Sequence, residues 1–585
     1  MKFVKDFLKH LLSIIKARFD TPAVLGAKQA ISSFSLSEKI VFWTLIGALI
    51  LSGLSILFKV NDFILVEAKA RGGSFTEGIV GSPRFINPVL ALSDADRDLV
   101  SLIYSGLMKA TPEGGIVEDV AESYSVSPDG LAYEFIIREN AVFHDGEPVT
   151  AEDVIFTINK ILDPAIKSAQ RANWDGVKVE KVDERIVRFT LQRPYAPFLQ
   201  NTVMGILPKH LWQYVDSGQF PFSETNVLPV GSGPYRVLSV KKSPDGIPET
   251  YELAPFNAYV LGKPYIKKIT LHFFQNEADL IKAYKKGSVK ALSSISPESV
   301  QTLESVRIER SPLPRIFAVF FNQNTAQIFS NVEVRKALDA AVDKQAIVDR
   351  VLAGYGTPID SPLPPGSINR PYATTSPEEK VYGIEEARNI LSRNGWVFDA
   401  DAGVWTSKTK GQLSFSLSTS NVPELKAVAN MLKETWEAVG ANVDVKVFEP
   451  GNLNQDIIRP REYDALLFGE VIGRELDLFA FWHSSQRNDP GLNIALYANI
   501  TADTLLERGR TQLDTNLREQ AYLDFETEVK RDVPAIFLYS PDFIYILPGN
   551  IRGVSLGSVT TARDRFLNVH EWYVRTDKVW SIFAK

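Results

Sequence analysis

The sequence predicts an α/β protein with two or three hydrophobic cores, preceded by one transmembrane helix. Three observations support this prediction: the chain has 585 residues, one run near its start is uncharged and apolar, and strand-like and helix-like patterns alternate from Gly73 onward. A hydrophobic core stops growing at about 250–300 residues, so a chain of this length divides into parts with a cleft between them. The apolar fraction of 45% and the charged fraction of 23% are typical of a folded globular protein.

The uncharged run begins at Ile40 and ends at Phe58, and it has the length of a membrane-spanning helix. At about 1.5 Å per residue it extends about 28 Å, close to the thickness of a bilayer's hydrocarbon core. Trp43 and Lys59 lie near its ends, where an indole and an amine reach the membrane surface. We therefore predict a transmembrane anchor in contact with membrane lipid. The other predicted N-terminal parts are a cytoplasmic basic segment (1–39) and a stalk (59–72).

The charges on either side of the run predict its orientation. Residues 1–39 carry seven Lys and Arg against three acidic residues, a net charge of +4; because the whole chain carries −6, the remainder carries −10. Basic segments stay in the cytoplasm, so the N-terminus is predicted to be cytoplasmic and the acidic part extracytoplasmic. The small-residue site that ends at Ala70 lies about ten residues beyond the run, unusually far for signal-peptide cleavage. We expect an uncleaved single-pass signal anchor in the cell membrane, with cleavage after Ala70 as the alternative.

Residues 3–19 form a second, weaker signal. Their apolar residues recur at helical spacing between lysines, which is typical of a basic amphipathic helix on the inner membrane leaflet. A short helix that contacts a partner protein is the alternative.

The residue types exclude several kinds of chemistry. The chain has no cysteine, so neither a lipoprotein anchor nor a disulfide is expected, and core burial alone must stabilise the extracytoplasmic part. It has six histidines and contains neither an H-E-x-x-H helix nor a G-x-S-x-G turn. We therefore expect no enzyme, no metal centre and no cofactor.

Several segments predict particular strands and helices. Thr150 and Asp153 form a capping pattern that opens a helix ending at Leu162, and Ser330 and Glu333 do the same for the next predicted helix. Further helices are predicted over 421–439 and 501–513. The predicted strands cover residues 131–138, 185–191, 269–274, 316–321, 413–417 and 443–448.

An ordered series of segments resembles family 5 of the bacterial extracellular solute-binding proteins, the oligopeptide, dipeptide and nickel receptors of ABC importers. The most specific is F-H-D-G-E-P-V-T-A-E-D-V at residues 143–154. The other segments lie at residues 72–78, 87–88, 102–108, 119–126, 129–135, 207–212, 231–235, 262–264, 320–322, 334–343, 386–396, 463–464, 481–484 and 533–534. They follow one another in the family's order over most of the chain after the anchor.

The resemblance implies a type II periplasmic-binding-protein fold, in which two α/β lobes close on a ligand and the first lobe carries an extra subdomain. It implies a monomeric receptor that delivers peptides or another small solute to ABC permease subunits, with no nucleic acid as partner. The implied parts are lobe I (73–117, 196–315 and a C-terminal return, 541–585), its small subdomain (118–195) and lobe II (316–540).

The resemblance also implies where a ligand amine binds, and the chain departs from the family pattern there. In peptide receptors an Asp shortly after a Y-D…G-W segment takes the α-amino group of the peptide, whereas here Glu470 replaces the Trp and Gly473 stands about where the Asp is expected. Either Glu470 replaces the missing carboxylate, or Arg474 binds a ligand anion. Arg474 and Glu475 as a solvated surface pair is the alternative.

Four further residues are candidate ligand contacts. Asn322 follows a predicted strand that crosses between the lobes, and Trp482 and His483 match family positions. Trp174 lies on the small subdomain, where an aromatic ring suits peptide side chains or sugars. For Trp174, Trp482 and His483 a purely structural role is the alternative.

Three other functions stay open at this point. The solute is an oligosaccharide or a nickel chelate in one alternative, and the chain is a ligand-binding membrane sensor in another. A third, an extracellular hydrolase, lacks any catalytic constellation in the sequence.

Overall fold

The computed structural model describes residue 26 and residues 29–368 and 383–580, which fall into two compact units. The first unit contains the N-terminal residues up to Ala70 and the C-terminal residues from Thr576, and the second runs from Arg71 to Arg575. The predicted amphipathic helix over 3–19 lies outside the described residues. The helices are α1 Leu36–Ile64, α2 Asp94–Ile103, α3 Ala151–Leu162, α4 Arg171–Trp174, α5 Phe198–Asn201, α6 Lys209–Trp212, α7 Glu277–Lys285, α8 Pro297–Gln301, α9 Val332–Ala341, α10 Lys344–Val351, α11 Ile384–Arg393, α12 Pro423–Val439, α13 Pro450–Asn452, α14 Phe479–Trp482, α15 Ile500–Thr511 and α16 Thr515–Asp532.

The strands are β1 Leu65–Ala70, β2 Ser74–Val80, β3 Met108–Ala110, β4 Ile116–Glu118, β5 Ala121–Val126, β6 Ala132–Ile137, β7 Lys178–Asp183, β8 Ile186–Thr190, β9 Tyr235–Lys242, β10 Pro248–Pro255, β11 Lys268–Phe274, β12 Ala291–Ser293, β13 Arg307–Pro312, β14 Arg315–Phe321, β15 Gly356–Pro358, β16 Val397–Asp399, β17 Val404–Ser407, β18 Gly411–Gln412, β19 Ser414–Ser420, β20 Asn442–Phe448, β21 Ala465–Val471, β22 Ala535–Leu547 and β23 Arg575–Trp580. All six predicted strands are therefore confirmed, with small shifts at their ends.

In the first unit, α1 is longer than the predicted anchor. Its stretch Leu36–Asn61 is long and apolar enough to cross a membrane, and its first turn is capped because the Ser35 N–H donates to the Glu38 carboxylate at 2.7 Å. The predicted stalk, residues 59–72, therefore begins with the end of this helix and continues as β1. β1 pairs with β23, and the Trp580 indole N–H donates to Asn61 at 2.9 Å. The sequence did not predict that the C-terminal strand joins this unit.

In the second unit, one large mixed sheet runs through both halves in the order β20-β19-β21-β14-β22-β12-β2-β11-β10-β9, with β13 and β15 also paired to β22. β22 is 13 residues long: its first half pairs with β14 and its second half with β13 and β12. One strand therefore belongs to both halves of the sheet. This is the arrangement expected of crossing strands between two lobes.

The buried hydrophobic residues form separate clusters in the two halves of the large sheet. One large cluster combines residues between Phe75 and Phe273 with the C-terminal stretch from Phe543 to Trp572. Two further clusters pack on opposite faces of β14, β21 and the first half of β22. The fold is the mixed α/β, two-lobed fold that the sequence predicts. The residue boundaries assigned to the lobes and the subdomain stay a prediction.

The four-stranded sheet β5-β6-β8-β7 forms its own layer beside α3. Phe135 on β6 and Phe189 on β8 point into its core, at alternating positions along their strands. The predicted cap of α3 is present: the Thr150 N–H donates to the Asp153 carboxylate at 2.9 Å. The predicted cap of α9 is displaced by one residue, since Ser330 still belongs to the preceding 3-10 turn and Asn331 accepts from the Glu333 N–H instead.

A buried charge cluster ties the C-terminal return to the first lobe. Arg565 is 0% exposed and donates to both carboxylate oxygens of Asp98 on α2, at 2.8 and 2.6 Å, and to Glu77 on β2 at 2.8 Å. Tyr545 on β22 donates to the same Glu77 at 3.0 Å. Burial raises the pKa of both carboxyls, and the Arg565 charge acts against that rise.

Candidate functional site: a polar cavity between the lobes

A cavity of about 220 Å3 lies where the first lobe meets the loop after β21 of the second lobe. Its floor and walls come from the β3–β4 hairpin, from the short helix α5 and from the loop around residues 560–567. Gly473 and Arg474 close it from the second lobe. The lining residues that matter chemically are Ser105, Lys109, Asp119, Gln200, Tyr259, Gly473, Arg474, Thr560 and Asp564.

Several polar atoms that line this cavity are buried and lack a hydrogen-bond partner among the described residues. They include Asp119 Oδ1, Gln200 Oε1 and Thr560 Oγ1. A buried polar group without a partner costs about 1–3 kcal/mol, so such a concentration of them in one place is unfavourable unless something else binds there. The cavity therefore has the character of a polar ligand site.

Asp119 and Lys109 place two opposite charges on the wall of the cavity. They lie on opposite arms of the same hairpin, where Lys109 is paired in register with Val117. Lys109 Nζ donates to the Tyr259 hydroxyl at 3.0 Å, and no ion pair joins Lys109 to Asp119 within the described chain. Burial raises the pKa of Asp119 to about 6, against the effect of the nearby Lys109 charge, and burial lowers the pKa of Lys109.

The backbone holds Asp119 firmly in place. Its N–H donates to the Leu107 carbonyl at 3.0 Å, and its own carbonyl accepts from Arg138 Nε at 2.7 Å. The side chain therefore projects from a backbone position that is fixed on both sides. A fixed carboxylate loses little conformational entropy when it binds a ligand.

Arg474 is engaged across the cleft. Its side chain is buried and donates to the Asp564 carboxylate at 2.8 Å and to the Thr111 carbonyl at 3.4 Å. Asp564 also accepts from the Thr560 and Thr561 N–H groups at 2.8 and 3.1 Å. The alternative of a solvated pair with Glu475 is wrong, because the Arg474 side chain is only 3% exposed. Binding of a ligand anion by Arg474 would require this ion pair to open.

Gly473 lines the cavity and leaves room beside it. A Cβ built there would meet only the Glu475 carbonyl oxygen, at an ordinary distance of 3.6 Å. The position at which the family pattern expects a carboxylate therefore has space for a side chain but carries none.

Glu470 lies near this loop but does not line the cavity. It is 3% exposed, and neither of its carboxylate oxygens has a hydrogen-bond partner among the described residues. The indole N–H of Trp482, which is fully buried, also lacks a partner. Burial raises the pKa of Glu470 well above its usual range, and the nearby Trp482 indole acts weakly against that rise.

The remaining predicted contacts are held within the protein. Asn322 is buried, its amide donates to the Arg461 carbonyl at 2.8 Å, and its side-chain oxygen accepts from the Asn324 N–H. Trp174 is buried against Phe189 and Phe198 in the subdomain core, so it offers no exposed aromatic face in this structure.

Trp482 and His483 also make internal contacts. Trp482 packs against Phe537, with ring centroids 5.8 Å apart. His483 caps the turn that follows it, where its Nδ1 accepts from the Ser485 N–H at 3.1 Å, and its ring stacks on Phe479. Of the seven predicted site residues, the structure brings only Gly473 and Arg474 to the cavity.

Further contacts cross the cleft at the subdomain. The Tyr195 hydroxyl donates to Asp477 at 3.3 Å, and the Ala196 N–H donates to the Arg510 carbonyl at 3.0 Å. The Arg510 guanidinium lies over the Tyr195 ring and also pairs with Asp477. With the Arg474–Asp564 pair, these contacts hold the lobes together around the cavity.

The sequence reasoning missed the cavity residues of the first lobe. Asp119 only begins the segment 119–126 that resembles the family, and no sequence pattern marks Lys109 or Tyr259 as a ligand contact. The available signal was a pair of charges on either side of the turn-forming segment T-P-E-G-G at residues 111–115, each next to an apolar residue: Met108 beside Lys109, and Val120 beside Asp119. That signal is weak without knowledge of what faces the hairpin.

Two lobes joined by crossing strands, with a polar cavity closed between them, define a solute-binding protein of the periplasmic-binding type. The family model of the bacterial extracellular solute-binding proteins, family 5, matches residues 115–489. This chain belongs to that family, whose members are the non-enzymatic solute receptors of ABC importers.

Individual relatives agree with this assignment. The oligopeptide-binding protein AppA of Bacillus subtilis is 26% identical over 512 residues, which cover 86% of this chain and 92% of that protein. Its structure in complex with a nonapeptide matches with a TM-score of 0.64 at 25% identity, covering 87% of this chain and 100% of that one. NikZ of Campylobacter jejuni in complex with Ni(L-His) matches with a TM-score of 0.66 at 25% identity, covering 86% and 99%.

Proposed function

We propose that this protein captures extracellular peptides in the cavity between its lobes and delivers them to the permease of an ABC importer. The observation that carries the proposal is the set of buried, unpartnered polar atoms on a cavity that both lobes enclose. Because neither lobe alone surrounds the cavity, a ligand gains its full set of contacts only in the closed form. Its preference for that form drives closure, and closure distinguishes a loaded receptor from an empty one.

The anchor fits this role on a cell surface. α1 is long and apolar enough to span a membrane, and the basic residues before it favour a cytoplasmic N-terminus. The binding unit then lies on the extracytoplasmic side, held to the lipid by its own helix, and works as a monomer.

A second candidate is a small non-peptide solute. Two observations favour it: Gly473 lacks the carboxylate expected of a peptide receptor, and the cavity of about 220 Å3 is smaller than the usual range of roughly 300–1,000 Å3 for ligand pockets. A structural relative was solved with Ni(L-His), a compact chelate of this kind. An oligosaccharide fits the small volume less well.

Thermal unfolding of the full chain in detergent tests the two candidates. Peptides of two to eight residues, Ni(L-His) and oligosaccharides are added separately at increasing concentration. A ligand at 100 times its dissociation constant stabilises the folded protein by about 2.7 kcal/mol, which raises the unfolding temperature measurably. Stabilisation by another solute class but by no peptide would refute the peptide proposal.

A matched pair of variants tests whether closure contributes to binding. Tyr195→Phe removes the hydroxyl that donates to Asp477 across the cleft, whereas Tyr214→Phe removes an exposed hydroxyl elsewhere on the first lobe. A hydrogen bond of this kind is worth about 0.5–1.5 kcal/mol, so Tyr195→Phe should weaken peptide binding about 2- to 10-fold. Tyr214→Phe should leave the affinity unchanged.

A further inference from the structure

The missing carboxylate at Gly473 raises the question of where a ligand's amine binds in this chain, if peptides are the ligand as proposed above. We infer that Asp119, on the first lobe, binds the primary ammonium group of the ligand and replaces the aspartate that the family pattern expects at Gly473. The amine anchor has thereby moved from one wall of the cavity to the other.

The three carboxylates in or near the cavity differ in their hydrogen-bond partners and in whether they line the cavity. Asp564 is already occupied by Arg474 and by two backbone N–H groups. Glu470 does not line the cavity. Asp119 does line it, is 3% exposed, and has a buried oxygen without a partner among the described residues. Of these three, only Asp119 has a carboxylate oxygen inside the cavity, Oδ1, that accepts no hydrogen bond within the described chain. The Ser105 and Tyr259 hydroxyls lie near the same carboxyl and act to lower its pKa.

The other unpartnered atoms fit an ammonium group as well. Gln200 Oε1 is a pure acceptor that lines the same cavity, and the Ser105 hydroxyl accepts as readily as it donates. A primary ammonium group has three donors and no acceptor, so it matches a carboxylate supported by further acceptors. An N-acetylated amine has one donor, carries no charge and adds bulk.

Lys109 adds a hydrogen-bond donor to the cavity wall that carries the Asp119 carboxylate. Its ammonium donates once to Tyr259 and retains further donors toward the cavity. Because Lys109 and Asp119 do not pair with each other, the wall presents a separate anion and cation. The ligand class that matches both is a zwitterionic or dipolar chain end, such as a peptide N-terminus with its first carbonyl.

The protonation of Asp119 is compatible with this role. Its pKa of about 6, raised by burial, leaves the carboxylate ionised at neutral pH, and an ammonium group bound beside it would favour the ionised form further.

Calorimetry on the full chain with tetra-alanine and N-acetyl-tetra-alanine tests the inference. The wild-type protein should bind the free-amine peptide at least about tenfold more tightly than the acetylated one, because a charged hydrogen bond is lost on acetylation. Asp119→Asn, which keeps the shape of the side chain, should weaken binding of tetra-alanine by at least about tenfold and abolish the preference. Glu470→Gln is the matched control and should keep both the affinity and the preference.

The outcomes separate the inference from the proposed function. If the wild-type protein binds both peptides equally, or if Asp119→Asn keeps the preference, the inference is wrong while the peptide receptor stands. Loss of the preference in Glu470→Gln instead of Asp119→Asn assigns the amine to Glu470 and also overturns it. If the wild-type protein binds neither peptide nor any other in the two- to eight-residue series, the proposed function fails and the inference fails with it. The wild-type comparison needs no variant, so it holds even if Asp119→Asn does not fold.

Discussion

Replacing Arg565 by methionine should destabilise the first lobe strongly and in a pH-dependent manner. Arg565 is fully buried and holds Asp98 with two hydrogen bonds and Glu77 with one. Methionine fills a similar length with apolar atoms but leaves two buried carboxyls without their cation. Breaking a buried ion pair in this way costs about 3–5 kcal/mol.

The pH dependence follows from the carboxyl groups. The pKa values of Asp98 and Glu77 are already raised by burial in the wild-type protein, and the loss of the Arg565 charge raises them further. A carboxyl with a raised pKa binds protons more tightly in the folded state, so stability falls as the pH rises from about 4 toward the folded-state pKa. The difference between Arg565→Met and wild type should therefore be smaller at pH 5 than at pH 7.5.

Denaturant unfolding of both proteins at the two pH values measures this difference. Arg97→Met is the matched control. Arg97 lies on the same helix as Asp98, its side chain is 36% exposed, and its guanidinium forms a long ion pair with Asp94 at 3.6 Å. Surface substitutions of this kind change stability by about 0.5 kcal/mol or less. An unaltered unfolding midpoint in Arg565→Met, or an equal loss at both pH values, would refute the reasoning.

Three further predictions concern the cavity and the buried Glu470. Peptide affinity should fall as the pH is lowered through about 6, approaching a tenfold loss per pH unit, because protonation of Asp119 removes the charge that binds the ammonium group. Calorimetry between pH 5 and 8 measures the affinity, and a profile that does not change with pH contradicts the prediction. Gly473→Asp should raise the affinity for free-amine peptides over acetylated ones, since the nearest atom to a Cβ there lies 3.6 Å away; an unchanged ratio counts against it. Glu470→Gln should change stability by less than about 1 kcal/mol at pH 7, because burial raises the pKa of Glu470 and so disfavours the charged form that the amide lacks. A larger loss in denaturant unfolding would contradict this prediction.

Features that depend on neighbouring residues, or on the order of segments along the chain, could be predicted from the sequence. The uncharged run from Ile40 to Phe58 predicted a helix that is long and apolar enough to cross a membrane, because a helix in lipid must satisfy its own backbone and expose apolar side chains. Period-2 alternation determined strands such as β6 and β8, and the Thr150–Asp153 pair determined the start of α3. The segments that resemble the family follow one another in the family's order, and this order predicted the family's two-lobed fold.

The composition of the ligand site was decided by the tertiary structure. Lys109, Gln200, Arg474 and Asp564 are each separated by 90 or more residues along the chain. They line one cavity because the first lobe gathers three of them and the strands β14 and β22 bring the second lobe, with Arg474, to face it. The fold also decided that Arg474 is occupied by Asp564, a pairing that no local spacing indicates. The absence of the expected aspartate at Gly473 is visible in the sequence alone. A carboxylate oxygen is left for a ligand only where the side chain lines the cavity and has no hydrogen-bond partner within the protein. Both conditions arise only when the chain has folded, because they depend on residues that are distant in the sequence.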